Sequence, residues 1–200
     1  AWSRAVTIGG VLLRVMRLSY VGEFGYELFI PVSQVKKVLE AITGPAGHHD
    51  IGFAGHFCLD SCRLEKGFVH WGHDIGPDDD PVSAGLMFAV RDQGGFDFIG
   101  RAAVDRLMTS RPSKRRALFK VDAKGPLLLH DESLFKNGDR VGRTTSGGLG
   151  FRTGMAICMG YVSGILDPEA DWNIHVAGRT IPITPLTEPP YDPAGRRMKS

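Results

Sequence analysis

The sequence predicts an α+β protein whose first part combines strands with helices and whose second part is built from short strands. Apolar residues recur at helical spacing in two segments of the first part, residues 33–43 and 53–67. Beyond residue 116, short runs of strand-forming residues alternate with turns that contain Gly or Pro, which is typical of a small β-barrel or sandwich. The composition, 42% hydrophobic and 23% charged, is that of an ordinary globular protein.

The first predicted element is a hairpin. Residues 11–20 (VLLRVMRLSY) are rich in strand formers, and residues 26–31 (YELFIP) resume an extended pattern after a segment that contains glycine. Pro31 cannot donate to a strand ladder, so we expect the second strand to end there. Strand alternation places Glu27 on the same face as Phe29. The residues alone favour an outward-facing surface glutamate here, although an unpaired carboxylate among apolar neighbours is costly.

Two helices are expected after the hairpin. Ser33 is the predicted N-cap of the first helix, and Gly44 ends it. Its apolar face comprises Val35, Val38, Leu39 and Ile42. The second helix runs from residue 53 to about Gly67, which stands where a C-terminal cap is expected. One broad arc collects its apolar and small residues, namely Phe53, Ala54, Phe57, Cys58, Ser61, Cys62 and Leu64. Arg63 falls on the polar side, where a surface pair with Asp60 explains it as well as a binding role does.

The second part of the chain contains the strands of the expected barrel or sandwich. Five strands are predicted, at Ala117 to Val121, Val141 to Thr145, Met155 to Val162, Trp172 to Val176 and Arg179 to Pro182. Ala177-Gly178 fits the turn of a closing hairpin. A short helix ending near Met108 precedes the stretch RPSKRR at residues 111–116, the best candidate for a domain boundary. No aromatic residues are interleaved with its charges, which favours a solvated linker over a nucleic-acid patch.

Charge, hydropathy and cysteine content exclude several classes of protein. The net charge of +2 is too small to indicate a nucleic-acid or anionic-membrane partner. No stretch approaches the roughly 20 apolar residues that cross a bilayer. The three cysteines show no metal-ligand spacing, so we expect a reducing compartment in which the thiols pack as small apolar groups.

Three further motifs carry little chemistry by themselves. The segment TTSGGLG at residues 144–150 lacks the order of a phosphate-binding loop, so we interpret it as a mobile turn of the barrel. The histidines at 48, 49, 70 and 73 have no carboxylate or cysteine at ligand spacing, which favours ordinary loop histidines. No nucleophile elbow surrounds Ser146. The chain therefore offers no predicted catalytic residue and no predicted metal ligand.

The amino-terminal residues suggest that this is the later part of a longer protein. The sequence begins AWSR, with neither an initiator Met nor the pattern of a signal peptide, and enters a strand-like run almost at once.

A series of motifs resembles the glycine-cleavage T-protein (aminomethyltransferase) superfamily. Residues 17–31, RLSYVGEFGYELFIP, are similar to its signature R-x-S-Y-x-G-E-x-G-[YFW]-E-[LI]. In order along the chain follow CRLEKG at 62–67, HWG at 70–72, PVSAGL at 81–86, FIGR at 98–101, GRTTSG at 142–147 and GYV at 160–162. The resemblance covers residue 11 to the end. The closing PYDPAGR, with the HW pair, looks closest to the folate domains of dimethylglycine and sarcosine dehydrogenases.

The resemblance implies a more specific fold. An incomplete ferredoxin-like α/β layer, the later part of a folate-binding domain, is expected over residues 1–110. A small Greek-key β-barrel with a tail is expected over residues 115–200.

The resemblance also implies tetrahydrofolate as the ligand. Glu27 matches the family's pterin-binding glutamate, and a carboxylate can accept the paired N–H donors of a pterin edge. Tyr20 matches an aromatic residue of the same pocket. Arg63 matches an arginine at the folate site, where a guanidinium can meet a pterin or carboxylate oxygen. Trp71 is expected to form a wall of the cavity.

The family's catalytic aspartate lies in an N-terminal half to which no position here corresponds. The favoured function is therefore that of a fragment, inactive alone, of an enzyme that transfers a one-carbon unit to tetrahydrofolate with its missing N-terminal half as partner. Alternatives are a non-catalytic folate-binding or assembly module, and the C-terminal domain of a flavin-dependent dehydrogenase, with any FAD bound outside this chain. A structural barrel that contacts no ligand is a further alternative. The expected location is cytoplasmic, or the mitochondrial matrix in a eukaryote.

Overall fold

The computed structural model describes residues 2–44, 50–90, 95, 97–110, 112–123 and 127–199. The chain divides into two compact units. Unit 1 comprises Ala1–Cys62 together with Ala194–Ser200, and unit 2 comprises Arg63–Pro193. Unit 1 combines a sheet with helical segments and unit 2 contains a closed barrel, so the α+β prediction is confirmed. No described helix has the length and apolar character that crossing a membrane requires.

Unit 1 contains a three-stranded antiparallel sheet. Its strands are β1 (Ser3–Ile8), β2 (Val11–Met16) and β3 (Glu27–Phe29), in that spatial order. Met16 lies opposite Glu27 and Arg14 lies opposite Phe29, so the predicted hairpin is confirmed. Because paired residues point to the same side of a sheet, Glu27 and Phe29 share one face, as strand alternation predicts.

One face of this sheet packs against a helix. Helix α1 (Val35–Thr43) ends at Gly44 as predicted. It follows a short 3-10 turn over Val32–Gln34 and has no side-chain cap, so the prediction of Ser33 as N-cap was wrong. The alternating residues of β2 and one helix residue form the core of unit 1, which consists of Val11, Leu13, Val15 and Val38. The opposite face is open, and Leu12 is 68% exposed there.

Helix α2 (His56–Glu65) is buried along its last turn, where Ser61 and Leu64 of the predicted apolar arc lie, rather than along the whole arc. Phe53 and Phe57, assigned to the inward arc, are 79% and 92% exposed. Arg63 is only 5% exposed and Glu65 is fully buried. Of the two interpretations left open for Arg63, the surface one was wrong, because this side chain has buried partners, described below. Gly67, with φ of 64°, follows the helix at the position where a C-terminal cap was predicted.

The barrel of unit 2 is closed and antiparallel. Its strands are β4 (Lys114–Val121), β5 (Ser133–Lys136), β6 (Asp139–Gly150), β7 (Met155–Ser163), β8 (Trp172–Val176) and β9 (Arg179–Leu186). The spatial order β4-β7-β6-β5-β8-β9 closes through β9 onto β4. Three consecutive strands, β5 to β7, are followed by β8 beside β5, which is a Greek key. The barrel core includes Phe119, Leu134, Cys158, Val162, Trp172 and Ile174.

The glycine-rich segment 144–150 belongs to strand β6 and pairs with β7, so the prediction of a mobile turn was wrong. Two of its three glycines are required by close packing. A Cβ atom added at Gly147 would lie 2.5 Å from the Cβ atom of Leu128, and one at Gly150 would lie 2.6 Å from Cγ of Glu65. Strand β5 was not predicted. The turn at Ala177-Gly178 is confirmed, with φ of 49° and 76° as a two-residue hairpin turn requires.

The stretch predicted as a solvated linker is structured at its end. A third helix, α3 (Arg101–Thr109), ends close to the predicted Met108. Arg111 lies outside the described residues, and β4 already begins at Lys114. Arg116 Nε donates to the carbonyl of Ala84 at 2.7 Å, and burial lowers the pKa of this guanidinium. Arg116 is therefore part of the packed unit, and the linker prediction was wrong for it.

Candidate functional site

The open face of the unit 1 sheet carries Glu27. This carboxylate is exposed at the start of β3, on the face that α1 leaves uncovered. Phe29, which is 50% exposed, lies on the same face. The location matches the surface interpretation of Glu27 and also leaves this side chain accessible to a ligand. A flat ligand that offers paired N–H donors fits such a surface, because one carboxylate accepts two hydrogen bonds side by side.

Tyr20 lies in the loop that joins β2 to β3, and it is half-buried. Contacts between a cationic and two aromatic side chains stabilise this loop. The Arg17 guanidinium lies 3.8 Å from the ring centre of Phe24, and the Phe24 and Tyr26 rings meet edge to face at 5.4 Å. Tyr20 therefore lies within this structured loop of unit 1, and Glu27 is the first residue of the strand that follows it.

Arg63 lies in unit 2 and makes a buried ion pair with Asp74. Its Nη1 atom donates to Oδ2 of Asp74 at 2.7 Å, and its Nη2 atom donates to Oγ of Ser146 at 2.8 Å. The Asp74 side chain has no exposed surface. Both terminal nitrogens of the guanidinium are therefore engaged inside the unit. A buried pair of this kind persists because each charge has further hydrogen-bond partners.

Asp74 is held on all sides by donors. Besides Arg63, its oxygens accept from the backbone N–H of His70 at 2.8 Å, from the Thr145 hydroxyl at 2.5 Å and from the Ser146 hydroxyl at 2.7 Å. The two hydroxyls converge because β6 has a register shift between Thr144 and Ser146. A β-bulge re-aims side chains in this way. We call these four side chains, Arg63, Asp74, Thr145 and Ser146, the Asp74 cluster.

Trp71 lies on the loop that Asp74 anchors. The N–H of Gly72 donates to the carbonyl of Ile75 at 2.8 Å, and Trp71 bridges to Ile75. The Trp71 side chain is 66% exposed. The His70 and His73 rings lie 4.6 Å apart between centres and are tilted by 47°, while His48 and His49 lie outside the described residues. The Asp74 cluster therefore fixes the backbone from which Trp71 projects.

A second buried polar group lies at the C-terminal end of α2. Glu65 accepts from Nε of Arg152 at 2.5 Å and from the backbone N–H of Thr153 at 2.7 Å. Lys66 donates to the carbonyl of Asp192, and the Arg152 guanidinium lies 3.7 Å from the ring centre of Tyr191. Glu65, Lys66 and Asp74 are buried, and their burial was not predicted from the sequence. The one available signal is the charged run RLEK at the end of a helix, which leaves no exposed face wide enough for every charge.

The structure distributes the four predicted site residues over the two units. Tyr20 and Glu27 belong to unit 1, and Arg63 and Trp71 belong to unit 2. Within the described residues, no group of three His, Cys, Asp or Glu side chains is arranged to hold a metal ion. The ligand role of each predicted residue stays a prediction.

Comparison with protein families gives two matches. Residues 1–93 match the GCVT N-terminal domain, and residues 114–192 match the glycine cleavage T-protein C-terminal barrel domain. The predicted boundary at residues 111–116 stays a prediction.

Known relatives and solved structures agree with these matches. The 4-methylaminobutanoate oxidase (formaldehyde-forming) of Paenarthrobacter nicotinovorans is 37% identical over 196 residues, which is 98% of this chain and 24% of the relative. Human mitochondrial sarcosine dehydrogenase is 32% identical over 201 residues, 95% of this chain and 22% of the relative. The solved aminomethyltransferase T of the Bartonella henselae glycine cleavage system matches with a TM-score of 0.80 at 28% identity, covering 90% of this chain and 50% of that one. The chain therefore spans about a quarter of the length of these two curated relatives.

Proposed function

Since the chain belongs to the glycine-cleavage T-protein family, we propose that it binds tetrahydrofolate as part of an enzyme that transfers a one-carbon unit to that cofactor. The full-length relatives of the oxidase and dehydrogenase type align along nearly the whole chain, which supports a longer enzyme of that kind. A flavin, if such an enzyme uses one, belongs to sequence outside these residues. A mitochondrial location would follow from likeness to the human relative, and a cytoplasmic one from the cysteine content.

The observation that carries the proposal is the accessible carboxylate of Glu27 beside an exposed aromatic ring. A pterin presents two neighbouring N–H donors along one edge and a flat apolar face. Glu27 can accept both N–H groups, and Phe29 on the same sheet face can contact the ring. Tyr20 is proposed as a further aromatic contact from the loop that ends at Glu27. The residues present thus fit the cofactor's chemistry.

For Arg63 the geometry favours an indirect role. Its terminal nitrogens donate to Asp74 and Ser146, so we propose that it supports the loop that presents Trp71 rather than meeting a folate oxygen directly. Trp71 is exposed on that loop, and its proposed role is to form a wall of a folate cavity.

Bound tetrahydrofolate would supply the nitrogen that accepts the one-carbon unit. The contribution of this chain is to bind and orient the pterin, since holding two reactants in the right geometry supplies a large part of a rate enhancement. The proton transfer that such a reaction needs is assigned to an aspartate outside these residues.

The test compares two glutamate variants of the purified full-length protein. Glu27→Gln removes the charge and one acceptor, whereas Glu40→Gln neutralises an exposed glutamate of α1 that pairs with Lys36. Because a hydrogen bond to a charged group is worth about 1.5–3 kcal/mol, Glu27→Gln should weaken tetrahydrofolate binding by ~10- to 100-fold, measured by isothermal titration calorimetry. The Glu40→Gln variant should bind tetrahydrofolate with the same affinity as the unchanged protein.

Equal affinity in Glu27→Gln and the unchanged protein would remove Glu27 from the site. Formaldehyde transfer to tetrahydrofolate by the full-length protein would separate the enzyme from the alternative, a non-catalytic folate-binding module, which binds without transfer. A protein that binds no tetrahydrofolate would leave only the structural alternative.

A further inference from the structure

A cavity of about 430 Å³ lies in unit 1 where the chain leaves β2. It is lined by Trp2, Arg17, Leu18, Ser19, Met198 and Lys199. The N-terminal and C-terminal residues meet here through Arg17. Its backbone N–H donates to the carbonyl of Trp2 at 2.8 Å, and its Nη2 atom donates to the carbonyl of Met198 at 2.6 Å. The C-terminal residues therefore form one wall of the cavity.

The cavity carries positive charge that no described carboxylate balances. Arg17 is half-buried and contacts the Phe24 ring and the Met198 carbonyl, and among the residues the structure describes neither Arg17 nor Lys199 has an acidic partner. Glu23, an acidic residue of the adjoining loop, faces Arg197 at 3.9 Å. A partly desolvated guanidinium without a counter-charge is unfavourable, and an anion in the cavity would offset that cost.

A hydrogen-bonding group of the cavity is also unsatisfied. The hydroxyl oxygen of Ser19 is buried and has no hydrogen-bond partner within the described part of the chain. Buried hydroxyls of native proteins are normally paired, so this hydroxyl of a cavity-lining residue is available to donate to a bound group. The Trp2 ring, over which Arg4 lies at 5.0 Å, provides an apolar wall beside these polar groups.

We propose that this cavity binds the carboxylate of a small organic anion. Arg17 and Lys199 supply the positive charge, the Ser19 hydroxyl donates a hydrogen bond to a carboxylate oxygen, and Trp2 packs against the apolar body of the ligand. The guanidinium keeps donors besides Nη2, since it has five N–H groups in all. This site is separate from Glu27, whose negative charge selects N–H donors. The proposal holds whether or not Glu27 binds folate.

The experiment uses glutarate as the carboxylate probe and inorganic phosphate as the competing oxyanion. Each is titrated into the full-length protein while the signals of the Trp2 indole N–H and the Ser19 and Lys199 amides are followed by NMR. Glutarate should shift these signals saturably and bind more tightly than phosphate does. Arg17→Gln and Lys199→Gln should each weaken glutarate binding by ~10-fold or more, because each removes a charge-assisted contact.

Two further variants make the test decisive. Lys37→Gln removes an equal charge from the exposed side of α1 and should leave glutarate binding unchanged. Ser19→Ala should weaken it by ~3- to 10-fold, which keeps the test valid if Arg17→Gln does not fold. No saturable glutarate binding, tighter binding of phosphate than of glutarate, or an equal loss in Lys37→Gln would each overturn the proposal.

Discussion

The barrel of unit 2 and the sheet of unit 1 differ in how much of their apolar surface is buried. In the barrel, buried residues of five strands form one core to which β6 adds the partly buried Val141, and Phe119, Leu134 and Ile174 are fully buried. In the sheet, only the face against α1 is covered, and Leu12 and Phe29 stay exposed on the other. A closed barrel needs no partner to hide its apolar side chains or its strand edges, whereas an open sheet face presents them for contact.

The difference extends to the polar residues. The buried charges of unit 2 are paired with one another, as the Asp74 cluster and the Glu65–Arg152 pair show. In unit 1, the Glu27 carboxylate is exposed, and within the described residues the Ser19 hydroxyl of the cavity has no hydrogen-bond partner and Arg17 has no acidic one. Unit 2 therefore pairs these buried charges within its own structure, although its Tyr161 hydroxyl also lacks a hydrogen-bond partner among the described residues. For the exposed carboxylate and the cavity of unit 1 we propose a ligand role.

Two phenylalanine variants test the comparison most directly. Phe119→Ala leaves a cavity in the barrel, where the Phe119 ring packs 5.2 Å from that of Trp172, and should lower the free energy of unfolding by about 3–5 kcal/mol. Phe29→Ala removes a phenylalanine side chain from the open sheet face and should change the free energy of unfolding by no more than about 0.5 kcal/mol. Chemical denaturation of both variants measures the difference. A loss at Phe29 as large as that at Phe119 would show that the sheet face is as tightly packed as the barrel.

Two acidic variants sharpen the contrast between buried and exposed charge. Asp74→Asn leaves Arg63 buried without a counter-charge and should cost about 3 kcal/mol of stability, near the lower end for a broken buried pair because the amide oxygen still accepts a hydrogen bond. Glu40→Gln breaks an exposed pair on α1 and should cost at most about 0.5 kcal/mol. Thermal unfolding followed by circular dichroism compares them. Similar melting temperatures for the two variants would contradict the structural role assigned to Asp74.

The smallest expected difference concerns the chemical reactivity of the cysteine thiols and not the stability of the protein. Cys158 is fully buried in the barrel, and burial raises the pKa of its thiol, so the reactive thiolate is disfavoured. Cys58 is exposed on α2, against the expectation that all the thiols pack as apolar groups. Iodoacetamide at pH 8 should label Cys158 at least ~100-fold more slowly than Cys58 in the native protein, measured by mass spectrometry, with the difference lost in denaturant. Equal labelling rates in the native protein would show that the barrel opens readily.

Local patterns predicted much of the fold. The hairpin around Glu27, the end of α1 at Gly44 and the turn at Ala177-Gly178 depend on neighbouring residues, and all three are confirmed. Strand β5 was missed because its four residues alternate too briefly to be recognised. The glycines of β6 were taken for a turn because glycine marks turns and close packing alike, and only the neighbour, Leu128 at Gly147, distinguishes the two.

By itself, the sequence determined the fold class, the family to which the chain belongs and the face of β3 on which Glu27 lies, because each depends on periodicity or on ordered motifs. Only the tertiary structure decided that Arg63 is buried. Its partners, Asp74 and Ser146, lie 11 and 83 residues further along the chain. A helical pattern records which side of a helix is apolar, but an ion pair buried by a distant strand depends on long-range contacts that no local spacing encodes.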